Sequence, residues 1–323
     1  MKRREFLASL GAVLGAVAAW PVAATAQQGK PARIGFLALG NPDPVPFVEG
    51  VQASLRELGY IDGQTVVFEL RSAAGNAGRL EPLAAELVAL KVDVIVAFQT
   101  PAASASKRAT ADVPIIMNAG DPVGTGLIAS LARPGGNVTG VSGAGAELGA
   151  KHIELLREIL PAARHVAVLA NAPDPFSRPF VERIQEAAKA LNFELKPFML
   201  KGPGEIEAAF TDMAKSGTEG VIVQPSLPHE TVAALAIKHR LPSFSPNPAF
   251  PGAGGLMAYS ADYEAMYRDC AMFVDKVLKG RKPADLPVQL PSKFWLNINL
   301  KTAKAIGVTV PGTMLTRADQ VIE

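Results

Sequence analysis

The sequence predicts an α/β protein of two doubly wound lobes, each built on a parallel sheet, joined by a hinge, and three observations carry that reading. Short apolar runs alternate with stretches of helical period along nearly the whole chain, the pattern of β-α units around a parallel sheet. The runs at 33–39, 65–70, 92–98, 113–117, 138–142, 165–169, 193–200 and 220–223 are too many for one small sheet. A segment also repeats. Pro42-Asp43-Pro44, then Pro46-Phe47-Val48-Glu49, returns as Pro173-Asp174-Pro175, then Pro179-Phe180-Val181-Glu182, each time after an apolar run and at the opening of a helix. Further on, Leu58-Gly59-Tyr60 corresponds to Leu191-Asn192-Phe193. Gly and Asn are the residues suited to the left-handed position that ends a helix.

In chain order, residues 1–26 form an export signal. Lys2-Arg3-Arg4 is a basic start, 8–19 is an uncharged apolar run too short to span a bilayer, and Ala24-Thr25-Ala26 is a cleavage site of small residues. Arg3-Arg4 followed by Phe6-Leu7 has the form of a twin-arginine signal, which carries folded proteins. No cysteine lies nearby for lipid attachment, so the mature chain is expected to be soluble and periplasmic, starting at Gln27. The first lobe then spans 27–142, and a string of small residues at 143–149 permits a hinge. The second lobe spans 143–260. Residues 261–323 hold a helix, an extended stretch at 283–291 and a strand at 294–300, expected to cross back between the lobes.

Composition narrows the function. The 323 residues are 49% hydrophobic and 19% charged, enough to bury a substantial core. A net charge of +2 gives no broad electrostatic footprint for nucleic acid. Cys270 is the single cysteine, which excludes an intramolecular disulfide and a thiolate metal site.

Ligands of open parallel sheets bind beyond the carboxyl ends of the strands. Polar residues at those ends are Asn41, Asp43, Thr100 and Asp121 from the first lobe and Asn171, Asp174, Gln224, Ser226, Ser245 and Asn247 from the second, with Phe98, Phe176, Phe250 and Tyr259 available to stack on an apolar ligand. Thr100 and Asp121 each precede a proline, as helix caps do. Enzyme signatures are missing. His229-Glu230 lacks the second histidine of a zinc helix, Gly143-x-Gly145 lacks the spacing of a dinucleotide fingerprint, and the sequence holds neither a nucleophile elbow nor a P-loop. No cofactor is expected.

Gly120 through Gly140 (GDPVGTGLIASLARPGGNVTG) and Thr100-Pro101-Ala102-Ala103 closely resemble the ABC transporter substrate-binding proteins that include tryptophan and tyrosine binders. So do Leu58-Gly59-Tyr60, 254–259 (GGLMAY) and 298–305 (INLKTAKA), and the likeness covers 33–323. The resemblance implies a type I periplasmic binding fold, closing as a monomer on a small solute that passes to an inner-membrane permease with its ATPase. It carries binding roles to Thr100, Asp121, Ser142, Asn171, Gln224 and Tyr259. For an amino acid, Thr100 and helix N-termini would hold the carboxylate and Asp121 the ammonium. An exported α/β enzyme such as a hydrolase is the alternative, recognisable by turnover of what it binds. A sugar- or purine-responsive regulator shares the architecture, but it would carry a DNA-binding segment where this chain has the export signal.

Overall fold

The computed structural model describes residues 30–40 and 43–323. The export signal and Asn41 lie outside the described residues. The first lobe runs β1 (Ala32–Ala38), α1 (Val45–Glu57), β2 (Val66–Ser72), α2 (Leu80–Ala89), β3 (Val94–Phe98), α3 (Thr100–Ala109), β4 (Ile115–Ala119) and β5 (Val138–Ser142). Its strands pair in the order β2-β1-β3-β4-β5, all parallel. Every residue of β3, β4 and β5 is buried, as strands covered on both faces require.

The second lobe runs α4 (Gly145–Ile159), β6 (His165–Asn171), α5 (Ser177–Ala190), β7 (Glu194–Leu200), α6 (Ile206–Lys215), β8 (Gly220–Val223), α7 (His229–Lys238), β9 (Ser243–Phe244) and β10 (Met257–Ala261). After it come α8 (Tyr263–Leu278), β11 (Phe294–Asn299), α9 (Leu300–Ile306), α10 (Gly312–Leu315) and β12 (Gln320–Ile322). The second sheet has the order β12-β11-β10-β9-β8-β6-β7. One pair departs from the parallel rule: β11 runs antiparallel to β10 because it re-enters the sheet from the other lobe.

The repeat has a structural counterpart. Asp43 Oδ1 accepts from Val45 N at 3.0 Å and Asp174 Oδ1 from Phe176 N at 2.9 Å, so the same turn opens α1 and α5. Gly59 at φ 90° and Asn192 at φ 56° follow the ends of these helices in the left-handed region.

Each sheet is covered on both faces. In the first lobe Phe47, Val51 and Leu55 of α1 share a core with Met266, Phe273 and Val274 of α8, while α2 and α3 cover the opposite face. In the second, α4, α5 and α9 cover one face and α6 and α7 the other. Residues 261–323 therefore belong to both lobes: α8 completes the first, and β11 to β12 complete the second. Tyr60 Oη donates to Asp275 Oδ1 at 2.9 Å, tying α8 down, and burial together with that carboxylate pushes the phenol up to about 12. On the way back, Gln289 N donates to Gly140 O and Ser142 N to Gln289 O, laying the returning chain along β5. The lobes are thus linked by three chain crossings. Among the described residues no helix is long and apolar enough to cross a membrane, and no cluster of metal-ligating side chains occurs.

Candidate functional site

The carboxyl ends of β3 and β4 face those of β6 and β8 across a cleft. At its back lies a recess of about 60 Å³, whose lining includes Phe98, Gln99, Thr100 and Asn118 from the first lobe and Asp174, Phe176 and Ser226 from the second. Phe98 and Tyr263 also line an adjoining groove of about 720 Å³, so the two spaces share a wall. The groove is walled by Phe47, Tyr267 and Trp295, with Asp43, Asp262 and Glu264 among its polar groups. Phe47 and Phe98 stack at 4.5 Å, and Tyr267 meets Phe47 edge-on at 5.3 Å.

Asp174 is the charged centre of the recess. It is only 3% exposed, and its carboxylate accepts from Gln224 Nε2 at 2.7 Å, Ser226 Oγ at 2.8 Å and Phe176 N at 2.9 Å. Gln224 is held in turn, its Oε1 accepting from Asn171 N at 2.8 Å. A carboxylate offers about four lone-pair positions, so three donors leave room for one more. Burial raises Asp174 to about 6 in spite of these donors.

The first lobe offers the opposite: polar atoms with nothing bound to them. Gln99 Oε1 and Asn118 Nδ2 are buried without hydrogen-bond partners, although both residues line the recess. Buried polar atoms are normally satisfied, and these two lie together at the cleft. Gln99 also has φ 72° and ψ 159°, a region occupied almost only by glycine. Strain of that kind gathers at ligand clamps. Thr100 Oγ1 accepts from Gly120 N at 3.2 Å, which leaves its hydroxyl hydrogen free to donate.

The structure brings Phe98, Thr100 and Phe176 to the recess and leaves off its lining six others expected to bind or stack on a ligand, among them Phe250, which is buried in the core under α6 and α7. Thr100 is the first residue of α3 and Gln99 its cap; Thr100 reaches the Gly120 backbone instead of capping its own helix. Asp121 opens a turn rather than a helix. Its Oδ1 accepts from Gly124 N at 2.9 Å, and it lines an outer groove beside Arg178 and Glu182. Ser142 Oγ donates to Gly120 O at 3.3 Å, behind the recess wall. Gln224 is fully buried and, with the Asn171 backbone, sits behind Asp174. Tyr259 stacks on Phe294 in the crossing, and its N–H donates to Nε2 of His152, which burial keeps neutral with a pKa near 4.

Gln99 and Asn118 line the recess without having been selected by strand-end reasoning, whereas Asp174 and Ser226 stand among the strand-end polar residues but were given no binding role. Asn118 had a signal, since it is the lone polar residue in the buried strand Ile-Ile-Met-Asn-Ala.

The cleft between two such lobes is the arrangement of type I periplasmic binding proteins, and residues 41–322 match the family model described as ABC transporter substrate binding protein. The chain belongs to that family. A tyrosine-binding protein of Clostridioides difficile (strain R20291) is 30% identical over 266 residues, spanning 80% of this chain and 75% of that protein. A solved structure from Streptococcus pneumonia, an ABC domain in complex with L-Trp, superposes with a TM-score of 0.85 at 30% identity and covers 91% of this chain and 100% of that one. A conserved domain protein from Vibrio cholerae gives a TM-score of 0.86 at 26% identity, covering 90% and 100%. This substrate-binding protein thus comes from a family of small-solute binders that work with a membrane permease, outside the cytoplasm, rather than from a family of enzymes.

Proposed function

We propose that this substrate-binding protein captures an α-amino acid with an aromatic side chain and delivers it, as a monomer, to an inner-membrane permease driven by an ATPase. The observation that carries the ligand class is the recess, where a buried carboxylate with a spare lone pair faces an unpartnered acceptor and an unpartnered donor. The ligand ammonium sits between Asp174 and Gln99 Oε1. The carboxylate is taken by Asn118 Nδ2, the Thr100 hydroxyl and the N-terminus of α3. The ammonium role expected of Asp121 passes to Asp174 in this reading. The recess is small against the 300–1,000 Å³ usual for whole ligands, so the side chain extends past Phe98 and Tyr263 into the aromatic groove. Five rings there favour a flat side chain over a branched aliphatic one. The chain reaches the periplasm by a twin-arginine signal cleaved after Ala26.

Thermal denaturation with a panel of amino acids, aromatic acids and sugars tests the ligand class. A ligand at about a hundred times its Kd stabilises the folded state by about 2.7 kcal/mol, several degrees in Tm. L-Tyrosine or L-tryptophan is expected to give that shift, and solute carried through purification should be recovered unchanged. Stabilisation by sugars alone rejects the amino-acid assignment. Chemical alteration of the solute favours an exported hydrolase.

A further inference from the structure

We infer that Phe176 sets the size of the recess and thereby restricts the cleft to ligands whose α-amino group carries no substituent. This rests on the amino-acid reading above and adds a specificity determinant to it. Phe176 belongs to the second lobe, at the entrance to α5, and is 5% exposed. Its ring is seated against the backbone of Gly120 in the first lobe and of Gly145 at the start of α4 in its own lobe. A Cβ placed on Gly120 would come within 2.8 Å of three ring carbons, and one placed on Gly145 within 2.8 Å of the ring Cζ. Only glycine at both positions lets an aromatic ring approach so closely.

The ring is also fixed from behind. Phe176 N donates to Asp174 Oδ1 at 2.9 Å, and the ring packs on Phe180 at 5.4 Å. The carboxylate that meets the ligand ammonium therefore also positions the wall beside that ammonium. What remains between the ring, the glycines and Asn118 is the recess of about 60 Å³. An N-alkyl group would have to enter the volume that the Phe176 ring occupies, while the side chain keeps its own path into the groove.

Binding of L-tyrosine, L-tryptophan and their N-methyl derivatives to wild type, Phe176→Leu and Phe176→Ala, by calorimetry, tests this. The derivatives keep the positive charge, so size alone separates the pairs. Wild type is expected to prefer the primary amine by about 100-fold, and Phe176→Ala by about tenfold or less, with Phe176→Leu between. A second measurement needs no amino acid. Benzene should raise the Tm of Phe176→Ala and not of wild type, because a vacated apolar space of ring size binds such a probe. Equal binding of primary and secondary amines by wild type, an undiminished preference in Phe176→Ala, or no benzene stabilisation of that variant overturns the inference. If wild type binds none of the four amino acids, the amino-acid reading fails, and the benzene result decides the role of the ring by itself.

Discussion

Asp43 and Asp174 occupy equivalent places in the two copies of one repeat, and each caps the residue two positions on through the same oxygen. Their surroundings differ. Asp43 is exposed at the lip of the groove, whereas Asp174 is buried at the back of the recess, with Gln224 and Ser226 donating to its second oxygen. The same Asp-centred turn thus gives a surface cap in one lobe and, in the other, the buried carboxylate proposed as the ligand anchor. What separates the two is burial and the donors supplied by the segment that follows β8.

The most direct way to break this contrast is to remove each carboxylate in turn. Truncating a buried, hydrogen-bonded partner of a ligand charge removes about 2–5 kcal/mol of binding, so Asp174→Ala should weaken amino-acid affinity by about 100-fold or more by calorimetry. Far-UV circular dichroism checks that the lobe still folds. Retained affinity would return Asp174 to a purely structural role.

Titration sharpens the contrast next. Ammonium binding needs Asp174 ionised, so affinity should hold above about pH 6 and fall toward tenfold per pH unit below it. The stability effect of the ligand-free protein has the opposite sign. A carboxyl raised in the folded state favours folding most below its ordinary value of 3.8, and that contribution disappears as pH rises through about 6. The ligand-induced Tm shift should therefore grow between pH 5 and 7 as an expected window for that rise. Asp43→Ala should leave the profile intact, and a flat profile in wild type would separate Asp174 from the ligand charge.

The first lobe's own share of binding lies with Asn118 and Gln99. Asn118→Ala removes one donor to a ligand carboxylate, expected to weaken binding by about tenfold. Ligand-free stability should stay nearly unchanged, because the donor has no partner to lose. Gln99→Gly relieves the backbone strain and should raise ligand-free stability by about 1 kcal/mol while weakening binding a few-fold. A fall in stability would show that the Gln99 backbone is not strained. Smallest of all, Asp43→Ala should change affinity by less than about threefold, as for an exposed charge.

Local features were the legible ones. Gly59 and Asn192 were readable as helix ends because a left-handed residue is a property of the chain at one point. The buried strands announced themselves as apolar runs. Asp174 was visible as half of a repeat and as a strand-end residue but not as a buried carboxylate, since its donors Gln224 and Ser226 lie some fifty positions away. Asp121 and Tyr259 sit close to strand ends, yet the Gly124 turn and the Phe294 stack draw them elsewhere. Strand-end position narrows the candidates; side-chain direction, set by tertiary partners, selects among them.

The return of α8 to the first lobe also orders the events of synthesis. The first sheet is complete in sequence at Ser142, but the core around Phe47, Val51 and Leu55 still lacks Met266, Phe273 and Val274. A nascent chain must make α4 through β10 of the second lobe before α8 covers that face, and the second lobe in turn waits for β11 to β12, so neither lobe is an independent folding unit released N-terminal first. Contacts spanning such separations slow folding and leave apolar surface open for longer. A protein with this threading is well served by an export route that waits for the finished fold, as the twin-arginine route proposed above would.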